Sequence, residues 1–125
     1  MNFKENKPIF QQLADRICDE ILNDKYLADE RIPSVREYAA IVEVNANTVM
    51  RTYDALQNMN IIYNRRGIGY FVSPDAKQII LKMIQDTFLN NEIKYFFDQL
   101  ITLGVDSNKL AELFNQYCST IKEKK

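Results

Sequence analysis

The chain of 125 residues is 46% hydrophobic and 26% charged, which suits one ordinary domain, or a small domain with a short helical appendage, and excludes a disordered tail. It contains no histidine, which removes imidazole acid–base catalysis, Ser–His and Cys–His nucleophile pairs and every His-containing zinc site. A net charge of −1 argues against a generally basic polyanion binder, so any nucleic-acid role must rest on local clustering of charge.

Pro8 opens the first recognisable element as a good first helical residue, followed by Ile9, Leu13, Ile17 and Ile21 at i, i+4 spacing. Phe10 and Leu22 widen the stripe, and the spacing predicts an amphipathic helix of about four turns that fades at Asn23-Asp24-Lys25. Tyr26 to Pro33 has no helical period, and Pro33 holds Ile32 extended. Ser34-Val35-Arg36-Glu37 is a capping box, and Val35, Tyr38, Ala39 and Val42 give the short helix behind it an apolar stripe. The pattern breaks at Glu43-Val44-Asn45. Asn45 is a preferred N-cap for a helix from Ala46 to about Met59, and Asn60 is suited to end it in the left-handed conformation.

The period then changes. Ile61 to Arg65 and Tyr70 to Ser73 are rich in β-branched and aromatic residues, and Arg66-Gly67-Ile68-Gly69 joins them as a hairpin turn, closed by Pro74. From Asp75 a helical period returns through Ile80, Met83, Ile84, Thr87 and Phe88 and continues through Phe96, Phe97, Leu100, Ile101 and Leu103, with Asn90-Asn91 as the place for an interruption. Gly104 is a helix stop. Asp106 or Ser107 caps a last helix bearing Leu110, Leu113, Phe114, Tyr117 and Ile121, and Lys122, Lys124 and Lys125 suit its C-terminal dipole. Cys18 and Cys118 are far apart and outside any CxxC spacing, so they read as small buried hydrophobes of a reducing compartment. The opening MNFKENKPIF lacks a signal-peptide pattern, and no run approaches the roughly 18 apolar residues of a membrane span; a cytoplasmic protein without membrane contact is expected.

Two short helices, a tight turn and a β-hairpin make a winged helix-turn-helix. The fold class expected is therefore mainly α with a small hairpin: a winged domain over residues 1–74 and a helical dimerisation segment over 75–125. At about 100° per residue, Val49, Thr52, Tyr53 and Leu56 fall within about 50° of one direction and form a core face. Asn47, Arg51 and Asp54 cluster opposite, with Met50 at the edge, as on a recognition helix whose first turns meet base edges. Of the arginines, all but Arg16 lie between Arg31 and Arg66, a window without lysine whose only acids are Glu37, Glu43 and Asp54. Arg36 stands in the first turn of its helix, where free N–H groups already favour a phosphate; the bland alternative is an ion pair with Glu37 or Glu43. Asp54 could orient Arg51 from three residues away. Arg65 and Arg66 flank the hairpin glycines, where backbone can approach a phosphate or enter a minor groove, or where they merely solubilise a turn.

These residues resemble a known family. Ile32-Pro33-Ser34-Val35-Arg36-Glu37, Val44-Asn45-Ala46-Asn47-Thr48-Val49, Arg51-Thr52-Tyr53 with Leu56, and Arg66-Gly67-Ile68-Gly69-Tyr70-Phe71-Val72 look like the DNA-binding domain of GntR-type bacterial transcription regulators. The likeness runs from about Pro8 to Ser73. The short C-terminal part, with Gly104 before Leu110 and Leu113, is similar to the YtrA-like subfamily, which carries two helices in place of a large effector domain. The resemblance implies that Arg36, Asn47, Thr48, Arg51 and Gly67 lie near DNA and that the tail dimerises the protein. With the caps and the wing arginines, the expected DNA-binding set is Ser34, Arg36, Asn45, Asn47, Thr48, Arg51, Arg65, Arg66 and Gly67. Phe88, Phe96, Phe97, Leu100, Leu113, Phe114 and Tyr117 form the expected dimerisation stripe.

Glu43 departs from a usual glycine in the turn, Ala46 from a common proline and Asn60 from a glycine. The function expected is a homodimeric, sequence-specific transcriptional regulator on an inverted-repeat operator in double-stranded DNA, with no metal, no cofactor and no catalytic residue. The competing class is a winged-helix module that docks another protein, for which the exposed helix face would be apolar. An enzyme would need a carboxylate pair or an activated lysine in a cleft, for which the chain outside the winged domain offers little room. No motif in the sequence specifies an effector.

Overall fold

In a computed structural model that describes residues 7–124, α1 spans Ile9–Leu22, α2 Val35–Val42 and α3 Ala46–Asn58. Strands β1 (Ile62–Arg65) and β2 (Gly69–Val72) follow, then α4 (Ala76–Thr87), a π-helical turn (Phe88–Glu92), α5 (Ile93–Thr102) and α6 (Ser107–Lys124). The mainly helical fold with one hairpin is the architecture expected from the sequence. The stretch Met1–Asn6, part of the segment read for a signal peptide, and Lys125 lie outside the described residues. Pro8 stands one position before the first helical residue, and its carbonyl accepts from the N–H groups of Gln11 and Gln12.

Four helices end in the same way. Asp24, Glu43, Asn60 and Gly104 take positive φ of 65°, 56°, 64° and 78° after α1, α2, α3 and α5. In each case the following N–H bonds back five residues: Lys25 to Glu20, Val44 to Ala39, Ile61 to Leu56 and Val105 to Leu100. Gly104 makes this turn without steric penalty, and Asn60 tolerates it. Glu43 does neither, so the turn of the helix-turn-helix holds backbone strain. Glu43→Gly is expected to stabilise the fold by roughly 0.5–1 kcal/mol, the strain relieved less the chain entropy of glycine. Urea unfolding should show this as a raised midpoint at unchanged slope; an unmoved midpoint would mean that the strain is no larger than the chain entropy glycine adds.

β1 and β2 pair antiparallel in the register Ile62 to Val72, Tyr63 to Phe71, Asn64 to Tyr70 and Arg65 to Gly69. The loop is thus Arg66-Gly67-Ile68, one residue shorter than the sequence suggested, because Gly69 is already paired. A third extended segment lines β2 on its other edge: Asp29 N–H donates to Val72 O, Val72 N–H to Glu30 O and Ile32 N–H to Tyr70 O, with a bridge from Arg31 to Phe71. That segment is too short to show a period in the sequence and exists only through its partner strand.

The chain divides into two compact units, Met1–Met83 and Ile84–Lys125. The core of the first joins Leu13, Ile17 and Ile21 of α1, Tyr38 of α2, Val49, Tyr53 and Leu56 of α3, Ile62 and Val72 of the hairpin, and Ala76 and Ile80 of α4. The cysteine expected to be buried in α1, Cys18, is in this core; burial first, then Asp15 and Asp19, push its thiol up to about 12. Cys118 is only half-buried, and both thiols are free.

In the second unit the interruption expected at Asn90-Asn91 is the π-helical turn, and the backbone keeps helical dihedrals at Thr87, Glu92 and Ile93. Its effect on phase is specific. Phe88 and Phe96 would lie about 80° apart on a regular helix, and one inserted residue brings them within about 20°. Asp106, rather than Ser107, caps α6 by accepting from Lys109 N–H at 2.8 Å.

Candidate nucleic-acid interface

The first part of the site is the capped start of α2. Ser34 N–H donates to Glu37 Oε1 at 2.8 Å, and Glu37 N–H donates to Ser34 Oγ at 3.1 Å. The Ser34 N–H, then its hydroxyl, hold the Glu37 carboxyl below its ordinary range. The folded value is the depressed one, so this contribution to stability is present above the ordinary carboxylate range and is lost as pH falls through the folded value. Because Glu37 is committed to the cap, it is not paired with Arg36. Among the described residues neither Glu37 nor Glu43 forms an ion pair with that guanidinium, so the ion-pair alternative for Arg36 is not realised. Arg36 is exposed.

The second part is α3. Asn45 caps it, its Oδ1 accepting from Asn47 N–H at 2.8 Å. Val49, Thr52, Tyr53 and Leu56 are all fully buried, as the periodicity required, and Asn47, Met50, Arg51 and Asp54 are exposed. Thr48 is half-buried, and its carbonyl lies 2.9 Å from Thr52 Oγ1, which also lies 3.0 Å from the Phe10 carbonyl of α1. Arg51 is not oriented by Asp54. Its guanidinium carbon instead lies 4.3 Å from the centre of the Phe10 ring. This contact joins residues far apart in the chain, and nothing in the local pattern signals it.

The third part is the wing. Ile68 N–H closes a turn onto Arg65 O at 2.8 Å, with Gly67 at φ 78° in its second corner. Arg65, Arg66 and Gly67 are exposed. Arg65 lies 5.7 Å from the Phe71 ring, which stacks on Tyr63 at 5.6 Å, and the Tyr63 hydroxyl donates to Asp29. Arg31 joins the wing from the preceding segment: a Cβ on Gly69 would meet its Nε at 2.8 Å. Sequence reading counted Arg31 in the basic window but missed this place, for which the second hairpin glycine was the available signal.

The expected dimerisation residues lie in the second unit. Phe88, Phe96, Phe97, Leu113, Phe114 and Tyr117 are exposed and Leu100 is half-buried. Among the described residues no three His, Cys, Asp or Glu side chains converge as a metal site, and no helix is long and apolar enough to cross a membrane.

A model of the bacterial regulatory proteins of the gntR family matches residues 9–72. The chain is 33% identical to the HTH-type transcriptional regulator YhcF of Bacillus subtilis over 88% of this chain and 89% of that protein. It is 28% identical to the HTH-type transcriptional repressor YtrA of the same organism over 95% of this chain and 91% of that one. A crystal structure of a GntR-family regulator from Bacteroides thetaiotaomicron is similar at a TM-score of 0.77 and 46% identity, covering 90% of this chain and 98% of that one. The DNA-binding domain of AraR, solved in complex with operator ORR3, is similar at a TM-score of 0.51 and 27% identity over 53% of this chain and 80% of that one.

Proposed function

Since this chain belongs to the gntR family of bacterial regulatory proteins, we propose that it is a sequence-specific transcriptional regulator that binds an inverted-repeat operator as a homodimer. The observation that carries the DNA reading is the division of α3, whose buried face is complete while Asn47 and Arg51 stand exposed in its first half. Arginine takes guanine O6 and N7 bidentately and asparagine takes adenine N6 and N7, so these two side chains read sequence in the major groove. Ser34, Arg36, Asn45 and Thr48 hold the phosphate backbone around the helix-turn-helix, and Arg65, Arg66 and Gly67 do so from the wing. Met50 is the one large exposed apolar side chain on α3, which favours DNA over a docked protein on that face.

Assembly is supported by burial. Among the described residues no side chain from Leu81 to Lys122 is buried, although α5 and α6 carry long apolar stripes. In this reading residues 1–74 bind DNA and residues 75–125 assemble the dimer, each copy taking one half-site about one turn of DNA, or a multiple of it, from the other.

Competition binding on a selected operator and on random DNA, across a salt series, tests the DNA reading. Arg51→Ala and Asn47→Ala should each cost about 1–3 kcal/mol on the operator and much less on random DNA. Replacing Arg65 and Arg66 together by alanine should instead flatten the slope of log affinity against log salt, by about one unit or less for each arginine. Equal losses on both DNAs would demote Asn47 and Arg51 to backbone contacts. An unchanged slope would leave the wing as structure only.

A further inference from the structure

We propose that Phe10 of α1 is a positioning residue for DNA recognition, holding the Arg51 guanidinium by its face so that its edge is presented to a base. The inference rests on Arg51 being a base contact, as read above. A guanidinium is planar and carries its N–H donors in that plane, whereas an aromatic ring attracts it through the face. With the guanidinium carbon 4.3 Å over the ring centre, Arg51 is held by a group that offers no oxygen or nitrogen acceptor, which leaves its N–H donors to a guanine. It also removes the freedom that an exposed arginine otherwise loses on binding.

The ring is itself anchored. Phe10 is half-buried in the first turn of α1, and its carbonyl lies 3.0 Å from Thr52 Oγ1, the side chain that follows Arg51 in sequence. Ring and guanidinium are therefore held from neighbouring points of one α1–α3 contact. No carboxylate competes for Arg51 among the described residues, Asp54 included. A helix outside the helix-turn-helix thus contributes to base selection through the arginine that it supports.

The test uses the full chain on an operator selected from random-sequence DNA, compared with random DNA. Phe10→Leu keeps an apolar side chain and removes the ring; it should weaken operator binding about two- to fivefold and leave random DNA unchanged. Phe10→Tyr should restore operator binding. In an Arg51→Ala background, Phe10→Leu should have no further effect, whereas a general loss of fold stability would persist there. Equal weakening by Phe10→Leu with and without Arg51 would overturn the proposal. So would intact operator binding by Phe10→Leu where Arg51→Ala loses it. If Arg51→Ala itself weakens both DNAs equally, it is the reading of Arg51 as a base contact that fails, and this inference with it.

Discussion

Replacing Phe114 and Tyr117 together by glutamate is expected to turn a dimer into a monomer in sedimentation and to abolish the preference for an inverted repeat over a single half-site. Both side chains are 63% exposed on α6, in line with Leu110, Leu113 and Ile121 at helical spacing. Large aromatic side chains left in water forfeit the main favourable term in folding and association, and in the proposed dimer a second copy would supply the matching stripe by symmetry. Glutamate is a good helix former, so α6 survives while its apolar face acquires charges that a dimer would have to desolvate. In the proposed dimer the second winged domain would meet its half-site at a high effective concentration, so the loss on an inverted repeat should be about 10²–10⁴-fold, with half-site binding unchanged. A chain truncated after Met83 should behave likewise, since Ala76 and Ile80 of the first core are retained. A wild-type chain that is monomeric at micromolar concentration, and binds a half-site as tightly as an inverted repeat, would refute the dimer.

The second large effect is expected at Tyr53. This residue of α3 is fully buried, and its hydroxyl donates to Pro33 O at 2.6 Å, directly before the capped start of α2. Its ring meets Tyr70 of the wing edge-on at 5.0 Å and lies 6.2 Å from Tyr38 of α2. One side chain thus fixes α3 against both α2 and the hairpin, the elements that flank it in the proposed DNA interface. Tyr53→Ala should cost about 3–5 kcal/mol, a large share of the stability of a small domain. Tyr53→Phe keeps the packing but leaves the Pro33 carbonyl short of a partner, at about 1–2 kcal/mol. Urea unfolding measures both; a Tyr53→Phe variant as stable as the wild type would show that the hydroxyl bond contributes nothing. Operator binding by Tyr53→Phe under native conditions should change little, since the folded fraction remains close to complete.

What could be read from the chain was what neighbouring residues settle among themselves. Ser34 and Glu37 cap α2 through bonds within four residues, and Asn45 caps α3 within three. Periodicity alone separated Val49, Thr52, Tyr53 and Leu56 from Asn47 and Arg51, because a helix surrounded by one core has a single buried side. Glu43 and Asn60 were identified as departures from glycine, and both take the left-handed conformation that glycine would take without strain. What only the tertiary structure decided were contacts whose partners lie far apart in the chain. The Arg31 segment becomes an edge to β2 because Tyr70 and Val72 offer it hydrogen bonds, and its side chain covers Gly69. Arg51 turns to Phe10 rather than Asp54 because α1 crosses α3 there, which no local pattern encodes. The break expected at Asn90-Asn91 is a π-helical turn that does not end the helix, and its inserted residue brings Phe88 and Phe96 onto one face. Local bonds and periodicity are fixed by spacing along the chain, whereas the partner of an exposed side chain depends on which surfaces the fold brings together.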